Sequence, residues 1–164
     1  MNIFVIVEIP KFSHQKYEFD EKLKMIKLDR TLFSPVYFPF EYGFIKETKG
    51  KDGDPLDVIL LSNFPTFPGC LIEARPIGLL WMEDEAGIDN KVIAVPGDKI
   101  NPRFKEVRNV NDLRSHARTE IQEFFRTYKK LERGKWVKIK GLGPRKEAES
   151  MIKEARERFK KESQ

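Results

Sequence analysis

The first two thirds of the chain has the hydrophobic pattern of short β-strands. One segment is a β-branched run closed by Pro10, two alternate between polar and apolar positions, and three are short apolar runs typical of buried strands. These segments are residues 3–9, 16–20, 25–28, 58–61, 71–80 and 92–95. Many short strands at this spacing predict a small closed or partly closed β-barrel.

The last third of the chain has helical spacing instead. From an N-cap at Asn111 or Asp112, apolar residues recur every three or four positions until Gly134 ends the predicted helix. Residues 136–139 predict one more strand. Pro144 then opens a second, highly charged helix with one apolar face. The pattern as a whole predicts an α+β fold, a β-barrel core with two flanking helices.

The composition fits one folded domain, which we expect to span residues 1–164. The chain is 40% hydrophobic and has 13 Phe, enough large apolar side chains for one substantial core. No segment has the roughly 18 apolar residues of a membrane helix, and the N-terminus has no signal-peptide pattern. The single Cys70 excludes an intramolecular disulfide. We therefore expect a cytoplasmic protein that does not bind a membrane.

The net charge of +5 comes from 31 basic and 26 acidic side chains. These charges largely alternate, which is typical of a solvated surface and leads us to expect no nucleic acid as a partner. The alternative is a nucleic-acid-binding OB domain, suggested by the barrel, the basic balance and the aromatic residues. It predicts exposed aromatic rings beside lysine and arginine, and strongly salt-dependent binding.

The most informative segment is an acidic turn, Asp52-Gly53-Asp54-Pro55-Leu56-Asp57, that leads directly into an apolar strand. An ordinary turn explains Asp52 and Gly53, because aspartate and glycine are common turn residues. It explains Asp57 poorly, because aspartate is disfavoured at the start of a buried strand. An EF-hand loop is excluded, since Asp57 stands where glycine is required and Asn63 where glutamate is required. A site for a hard cation and an ordinary turn both remain open.

A second acidic turn, residues 84–89, contains Asp84 and Asp89 and lies between two predicted strands. If both turns lie at one end of the barrel, their carboxylates repel each other, by roughly 3 kcal/mol for a pair about 5 Å apart. Such a cluster needs cations. Oxygen ligands without histidine or cysteine favour Mg²⁺ or Mn²⁺ over Zn²⁺.

Basic and phenolic residues are interleaved with these acids, notably Lys16, Arg30, Tyr42, Tyr128 and Lys129. Mg²⁺ together with lysine, arginine and tyrosine is suited to binding a multiply charged phosphate and stabilising phosphoryl transfer. The chain has no glycine-rich P-loop, so ATP-type binding is not supported.

Ordered sequence blocks along nearly the whole chain resemble the soluble family I inorganic pyrophosphatases. The blocks include Glu8-Ile9-Pro10, Lys16-Tyr17-Glu18, Asp29-Arg30, Tyr42-Gly43, the D-G-D-P-x-D element at 52–57, residues 75–78 and 84–91, Phe124 to Lys129 and Gly134 to Val137. The resemblance implies an OB-like five-stranded β-barrel with two flanking helices. It also implies Mg²⁺-dependent hydrolysis of pyrophosphate to two orthophosphates by a metal-activated water, without a covalent intermediate, in a homohexamer. Several Mg²⁺ ions per site are implied, with Mn²⁺ as a possible substitute.

The resemblance also implies a role for each matching residue. The implied metal ligands are Asp52, Asp57, Asp84, Asp89 and Glu18. Asp54 is the implied catalytic base, which orients and deprotonates the attacking water. The implied substrate-binding residues are Lys16, Arg30, Tyr42, Lys91, Tyr128 and Lys129. Glu8 is implied to tune the charge of the pocket.

One position departs from the family pattern. The family has a tyrosine where this chain has Phe38, so we expect a hydroxyl to be missing from the edge of the pocket.

A metal-dependent phosphatase for an organic diphosphate is a closer alternative than a nucleic-acid-binding domain. The residues alone separate it poorly from a pyrophosphatase.

Overall fold

The computed structural model describes residues 1–163, which form nine strands and two α-helices. The strands are β1 (Ile3–Ile9), β2 (Gln15–Asp20), β3 (Met25–Thr31), β4 (Glu41–Ile45), β5 (Asp57–Leu60), β6 (Leu71–Asp84), β7 (Gly87–Ile88), β8 (Lys91–Pro96) and β9 (Val137–Pro144). The helices are α1 (Ser115–Thr127) and α2 (Arg145–Glu162), and two short 3₁₀ turns lie at Pro102–Phe104 and Val110–Asp112.

Five strands close into a ring in the order β1, β4, β5, β8 and β6, with β6 pairing back onto β1. All contacts in the ring are antiparallel except that between β5 and β8. The 14-residue strand β6 extends past the ring, where it pairs with β9 and β7. Strands β2 and β3 form a separate hairpin. The prediction of a five-stranded, OB-like ring with two helices is confirmed.

The ring is buried on both faces, which explains the uninterrupted apolar runs in its central strands. In β5, Val58 and Leu60 belong to one apolar cluster, which also includes residues of α2, whereas Ile59 belongs to a second cluster packed with α1. Strand β8 divides its side chains in the same way, with Val92 in the first cluster and Ile93 in the second. Because alternate residues enter different cores, neither face of these strands is polar.

The predicted boundaries of the first helix were wrong. Asn111 and Asp112 lie in a 3₁₀ turn closed by a capping box from Asn109, and α1 begins only at Ser115. The helix ends at Thr127, well before Gly134. The capping residues near 109–112 thus stabilise a preceding turn and not the helix itself. Among residues 1–163, no helix is both long and apolar enough to cross a membrane.

Two further elements differ from the prediction. Strand β4 was not predicted, because its five residues include a glycine and follow a proline-rich segment. The last strand extends from Val137 to Pro144. Pro144 therefore lies at the N-cap of α2 and not within its first turn.

Candidate active site

One cavity of about 430 Å³ lies against the open end of the ring, between the hairpin, the acidic turns and the end of α1. Its polar lining consists of Glu8, Lys16, Tyr17, Glu18, Glu21, Arg30, Tyr42, Asp54, Asp57, Asp84, Glu85, Asp89, Lys91, Tyr128, Lys129 and Lys135. The two acidic turns therefore converge on a single space, together with the basic and phenolic residues from other elements.

A bulge in β1 places Glu8 in this cavity. The register between β1 and β4 shifts between Val7 and Ile9, and a bulge of this kind redirects the extra side chain. The Glu8 carboxylate accepts a hydrogen bond of 2.7 Å from the Phe19 amide, which joins the ring to the hairpin. At this point β4 needs Gly43, because a Cβ there would lie 2.0 Å from the Ile6 carbonyl oxygen.

Lys91 is a buried cation between two of the acids. Its Nζ lies 2.9 Å from a carboxylate oxygen of Asp57 and 2.9 Å from one of Asp89, and 5.4 Å from the Tyr42 ring centroid. Burial alone would lower the pKa of Lys91, but Asp57, Tyr42 and Asp89 hold it well above its ordinary value. Burial also raises the pKa of Tyr42. Lys91 is therefore a fixed positive charge at the centre of the site.

The end of β6 is joined to the end of α1 by a second group of ion pairs. Lys129 Nζ lies 2.9 Å from Asp84 and 3.2 Å from Glu85, and Lys135 Nζ lies 3.1 Å from Glu85. Although burial opposes it, hydrogen bonds from its own backbone amide and from Lys135 lower the pKa of Glu85 to about 2. These contacts fix Lys129 and the neighbouring Tyr128 at the cavity.

The hairpin contributes a third group of charges. Lys16 and Arg30 are directly paired across β2 and β3, so both side chains lie on one face. Lys16 Nζ lies 2.5 Å from Glu18 and 3.5 Å from Asp29. Arg30 forms ion pairs with Asp29 through Nη1 and with Glu132 through Nε.

The loop with the D-G-D-P-x-D element is the most exposed part of the site. The Asp54 amide donates a hydrogen bond of 3.1 Å to Asp52, and the Gly50 amide donates one of 2.7 Å to the Asp54 carbonyl. A Cβ on residue 50 would lie 2.6 Å from the Asp52 carboxylate, so a larger residue there would displace this side chain. Asp54 lines the cavity, whereas the exposed Asp52 does not.

The lining carries an excess of negative charge. Eight acidic and five basic side chains give a net charge of −3 when all are ionised. Burial raises the pKa of Glu8 to about 7, with a contribution from the Asp57 charge. Burial also raises the pKa of Asp89, and burial together with the Asp52 charge raises that of Asp54. A bound cation would stabilise the ionised form of these acids, which burial and neighbouring negative charges disfavour.

The donor chemistry fits divalent cations that prefer oxygen ligands, because every acidic ligand candidate is a carboxylate. The carboxylates do not form a preorganised metal-binding cluster within residues 1–163. Within residues 1–163, no group of three or more aspartate, glutamate, histidine or cysteine side chains has the spacing of a metal site. Several of these acids are instead paired with lysines, since Lys91, Lys129 and Lys16 each form an ion pair with at least one of them.

The structure places twelve of the thirteen predicted site residues in the cavity lining, the exception being Asp52. Phe38 is not at the pocket edge: its side chain is 1% exposed, and its ring packs against Phe124 and Tyr42 at centroid distances of 4.6 and 5.8 Å. Sequence reasoning gave no role to Glu85 or Glu132, both of which pair with predicted substrate-binding residues. The signal available for Glu85 was its place in the matching block 84–91. Glu132 lies outside the matching blocks, three positions after Lys129.

The comparisons with known proteins identify the family of the chain. The family model described as inorganic pyrophosphatase matches residues 5–160. The chain belongs to the inorganic pyrophosphatase family. It is 52% identical to the inorganic pyrophosphatase of Saccharolobus solfataricus over 158 residues, covering 96% of this chain and 92% of that protein.

Solved structures of the family have the same fold. The crystal structure of the inorganic pyrophosphatase of Thermus thermophilus is 43% identical, with a TM-score of 0.94 over 97% of this chain and 91% of that one. The Helicobacter pylori enzyme is 40% identical, with a TM-score of 0.94 over 97% of this chain and 94% of that one. The activity of the family is the hydrolysis of pyrophosphate to phosphate, and its members depend on metal ions.

Proposed function

We propose that the chain hydrolyses pyrophosphate to two orthophosphates with Mg²⁺ as its metal, through direct attack of water and without a covalent intermediate. The observation that carries this proposal is the single cavity in which eight acidic side chains meet five basic ones from β2, β3, β8 and the segment after α1. The net charge of −3 supports it, since an anion as highly charged as pyrophosphate binds there only with added cations.

The proposed metal ligands are Asp52, Asp57, Asp84, Asp89 and Glu18. When bound, Mg²⁺ neutralises phosphate charge and makes a water molecule more acidic. Asp57 and Asp89 are supported by their shared contact with Lys91, which places both carboxylates around one point of positive charge. Asp52 is the one proposed ligand that lies outside the cavity lining.

The chain's own residues perform the remaining steps. Asp54 accepts the proton of the attacking water, a role supported by its raised pKa and its exposure to the cavity. Arg30, Tyr128 and Lys129 bind the leaving phosphate. Lys16 and Tyr42 bind the phosphate that is attacked, and Lys91 adds a buried charge. Glu8 tunes the charge of the pocket, which its raised pKa supports.

We also infer the broader organisation from the resemblance to the family. Residues 1–164 form one domain, the chain assembles as a homohexamer, and it acts in the cytoplasm on a small-molecule substrate without nucleic acid or a membrane. Mn²⁺ is a possible substitute for Mg²⁺.

A phosphate-release assay tests the activity. Purified protein is compared on pyrophosphate, ATP and a sugar phosphate, each with Mg²⁺, with Mn²⁺ and with EDTA. We expect rapid release from pyrophosphate with Mg²⁺ and none with EDTA. The Asp54→Asn variant, purified in the same way, controls for contaminating phosphatase. Faster release from ATP or from the sugar phosphate than from pyrophosphate would contradict the proposed substrate.

A further inference from the structure

Arg30 is held on two of its three nitrogen atoms. Its Nη1 pairs with Asp29 at the neighbouring position of β3. Its buried Nε lies 3.0 Å from Oε1 of Glu132, an ion pair that is not aligned as a hydrogen bond. Within the described residues, Nη2 makes no hydrogen bond to the protein. The two ion pairs restrict the guanidinium, and Nη2 is the nitrogen left for a ligand in the cavity that Arg30 lines.

Glu132 is buried behind this arginine. Its side chain is only 8% exposed, and Arg30 is the one cationic side chain within 4.0 Å of its carboxylate in the part of the chain that the structure describes. Its second oxygen, Oε2, has no hydrogen-bond partner there. Burying an ionised carboxylate costs free energy that its ion pair with a cation must offset. Arg30 is the cation that pairs with Glu132, so we expect Glu132 to act through Arg30.

The backbone of Glu132 connects Arg30 to the other cation of the leaving-phosphate site. The Glu132 amide donates a hydrogen bond of 3.0 Å to the carbonyl of Lys129, in the turn that follows α1. Lys129 and Tyr128 line the cavity from the end of this helix. One glutamate thus ties the hairpin arginine to the segment that supplies the lysine and the tyrosine.

We propose that Glu132 is a positioning residue, which orients the Arg30 guanidinium and fixes its distance from Lys129, so that both cations meet the same phosphate of pyrophosphate. This inference rests on the proposed function, because it takes Arg30 as a phosphate ligand. Glu132 does not line the cavity itself among the described residues, and it acts through the arginine. A correctly oriented guanidinium contributes more to phosphate binding than its charge alone would.

The test compares Glu132→Gln with the matched variant Glu123→Gln. Glu123 is also an α1-region glutamate paired with an arginine, but its side chain is 59% exposed and its partner, Arg126, does not line the cavity among residues 1–163. We expect Glu132→Gln to raise the KM for pyrophosphate about 10-fold, the scale of one charge-assisted hydrogen bond. The kcat at saturating pyrophosphate should fall much less, and Glu123→Gln should match the wild type in both.

A second background separates positioning from mere structural support. In Arg30→Lys protein the guanidinium fork is gone, so adding Glu132→Gln should change KM by less than about twofold, as expected when two residues act as one unit. Additive effects on KM would overturn the proposal. A lower melting temperature of Glu132→Gln with an unchanged KM would also overturn it, because Glu132 would then only support the fold.

Two outcomes keep this inference distinct from the proposed function. If the wild type fails to hydrolyse pyrophosphate with Mg²⁺, the proposed function is wrong. If the wild type is active and Glu132→Gln has the wild-type KM, only the positioning role is wrong. Should Glu132→Gln not fold, Glu132→Asp keeps the charge but withdraws it by one methylene, and a wild-type KM for that variant rejects the role equally.

Discussion

Four lysines of the cavity lining pair with carboxylates, and three of them, Lys16, Lys91 and Lys129, have side chains that are largely buried. Lys91 and Lys129 have side chains that are 3% and 6% exposed, whereas that of Lys16 is 17% exposed. A buried ammonium is tolerated only beside opposite charge, and each of these lysines has at least two acidic neighbours. The site therefore keeps fixed positive charge within a negative lining.

Two aspartates three positions apart should fail in different ways. Asp54→Asn removes a proton acceptor but keeps size and polarity, so the rate should fall by about 10² to 10⁴. Mg²⁺ affinity should change little, since Asp54 acts on the water. The measurement is turnover as a function of Mg²⁺ concentration at saturating pyrophosphate.

The same titration on Asp57→Asn should give the opposite result. A neutral amide replaces a charged ligand that already shares Lys91 with Asp89, so the apparent Mg²⁺ affinity should fall. Excess Mg²⁺ should then restore part of the activity. If excess Mg²⁺ rescues Asp54→Asn and not Asp57→Asn, the two assigned roles are reversed.

Glu8 should make the metal-free protein less stable as the pH rises. Its carboxyl ionises near pH 4.5 in the unfolded chain, but burial raises its pKa to about 7 in the folded one. Between these values the folded state binds more protons, so stability falls with rising pH and reaches its lower level above pH 7. Glu8→Gln keeps an acceptor for the Phe19 amide and removes this loss, so at pH 8 it should be more stable by up to about 3 kcal/mol.

Urea unfolding in EDTA at pH 4 and pH 8 checks this expectation. The difference between Glu8→Gln and wild type should be present at pH 8 and absent at pH 4. A difference of the same size at both pH values would mean that Glu8 acts through packing and not through its charge.

At the scale of whole elements, α2 holds the loop that precedes the acidic turn. Arg158 Nε donates a hydrogen bond of 2.9 Å to the Lys49 carbonyl, and Lys49 also forms an ion pair with Glu162. The neighbouring Gly50 amide bonds to the Asp54 carbonyl. The C-terminal helix is thereby connected to a proposed catalytic residue through the backbone.

Arg158→Met should therefore weaken Mg²⁺ binding more than it lowers the maximal rate. The variant keeps the apolar stem but releases the loop, so more Mg²⁺ should be needed to order it, while kcat at saturating Mg²⁺ stays close to wild type. Arg156→Met is the matched control, because Arg156 also bonds to a backbone carbonyl, that of Asn2, far from the loop. Equal Mg²⁺ dependence of the two variants would refute a role for the helix in holding the loop.

The strands of the ring were predictable to different extents. Runs such as residues 58–61 and 92–95 were recognisable because both faces are buried, which leaves no polar position to interrupt them. Strand β4 was missed because Glu41, a fully buried carboxylate that accepts amides from two loops, and Gly43 have low strand propensity. Tertiary contacts decide that strand, and they are not visible in the sequence.

The site was predictable where the chemistry is local. The D-G-D-P-x-D element places three acids within six residues, and an ordinary turn explains Asp57 at the start of a buried strand poorly. The contacts of Lys91 with acids from two turns and of Arg30 with Glu132 depend on how distant elements pack. The burial of Phe38 against Tyr42 could not be predicted, because Phe38 lies in the loop before β4, where no strand or helix period indicates which side chains turn inward.

At the scale of the molecule, the charges are unevenly distributed. The chain has a net charge of +5, whereas the cavity lining has −3 with all groups ionised. The remaining surface is therefore more basic than the average suggests. A positive net charge outside the cavity attracts a phosphate anion from a distance, and added cations then make binding in the acidic cavity favourable.

The assembly is the last property that we predict for the whole molecule. Many large apolar side chains remain exposed in the single chain, including Phe12, Tyr37, Phe64 and Ile88 at 52%, 47%, 66% and 76%. Exposed apolar side chains are a feature of association sites. Together with the homohexamer that the family resemblance implies, they lead us to expect six copies of 19.3 kDa, a particle of about 116 kDa. Light scattering coupled to gel filtration measures this mass, and a stable species of 19.3 kDa at micromolar concentration would contradict the hexamer.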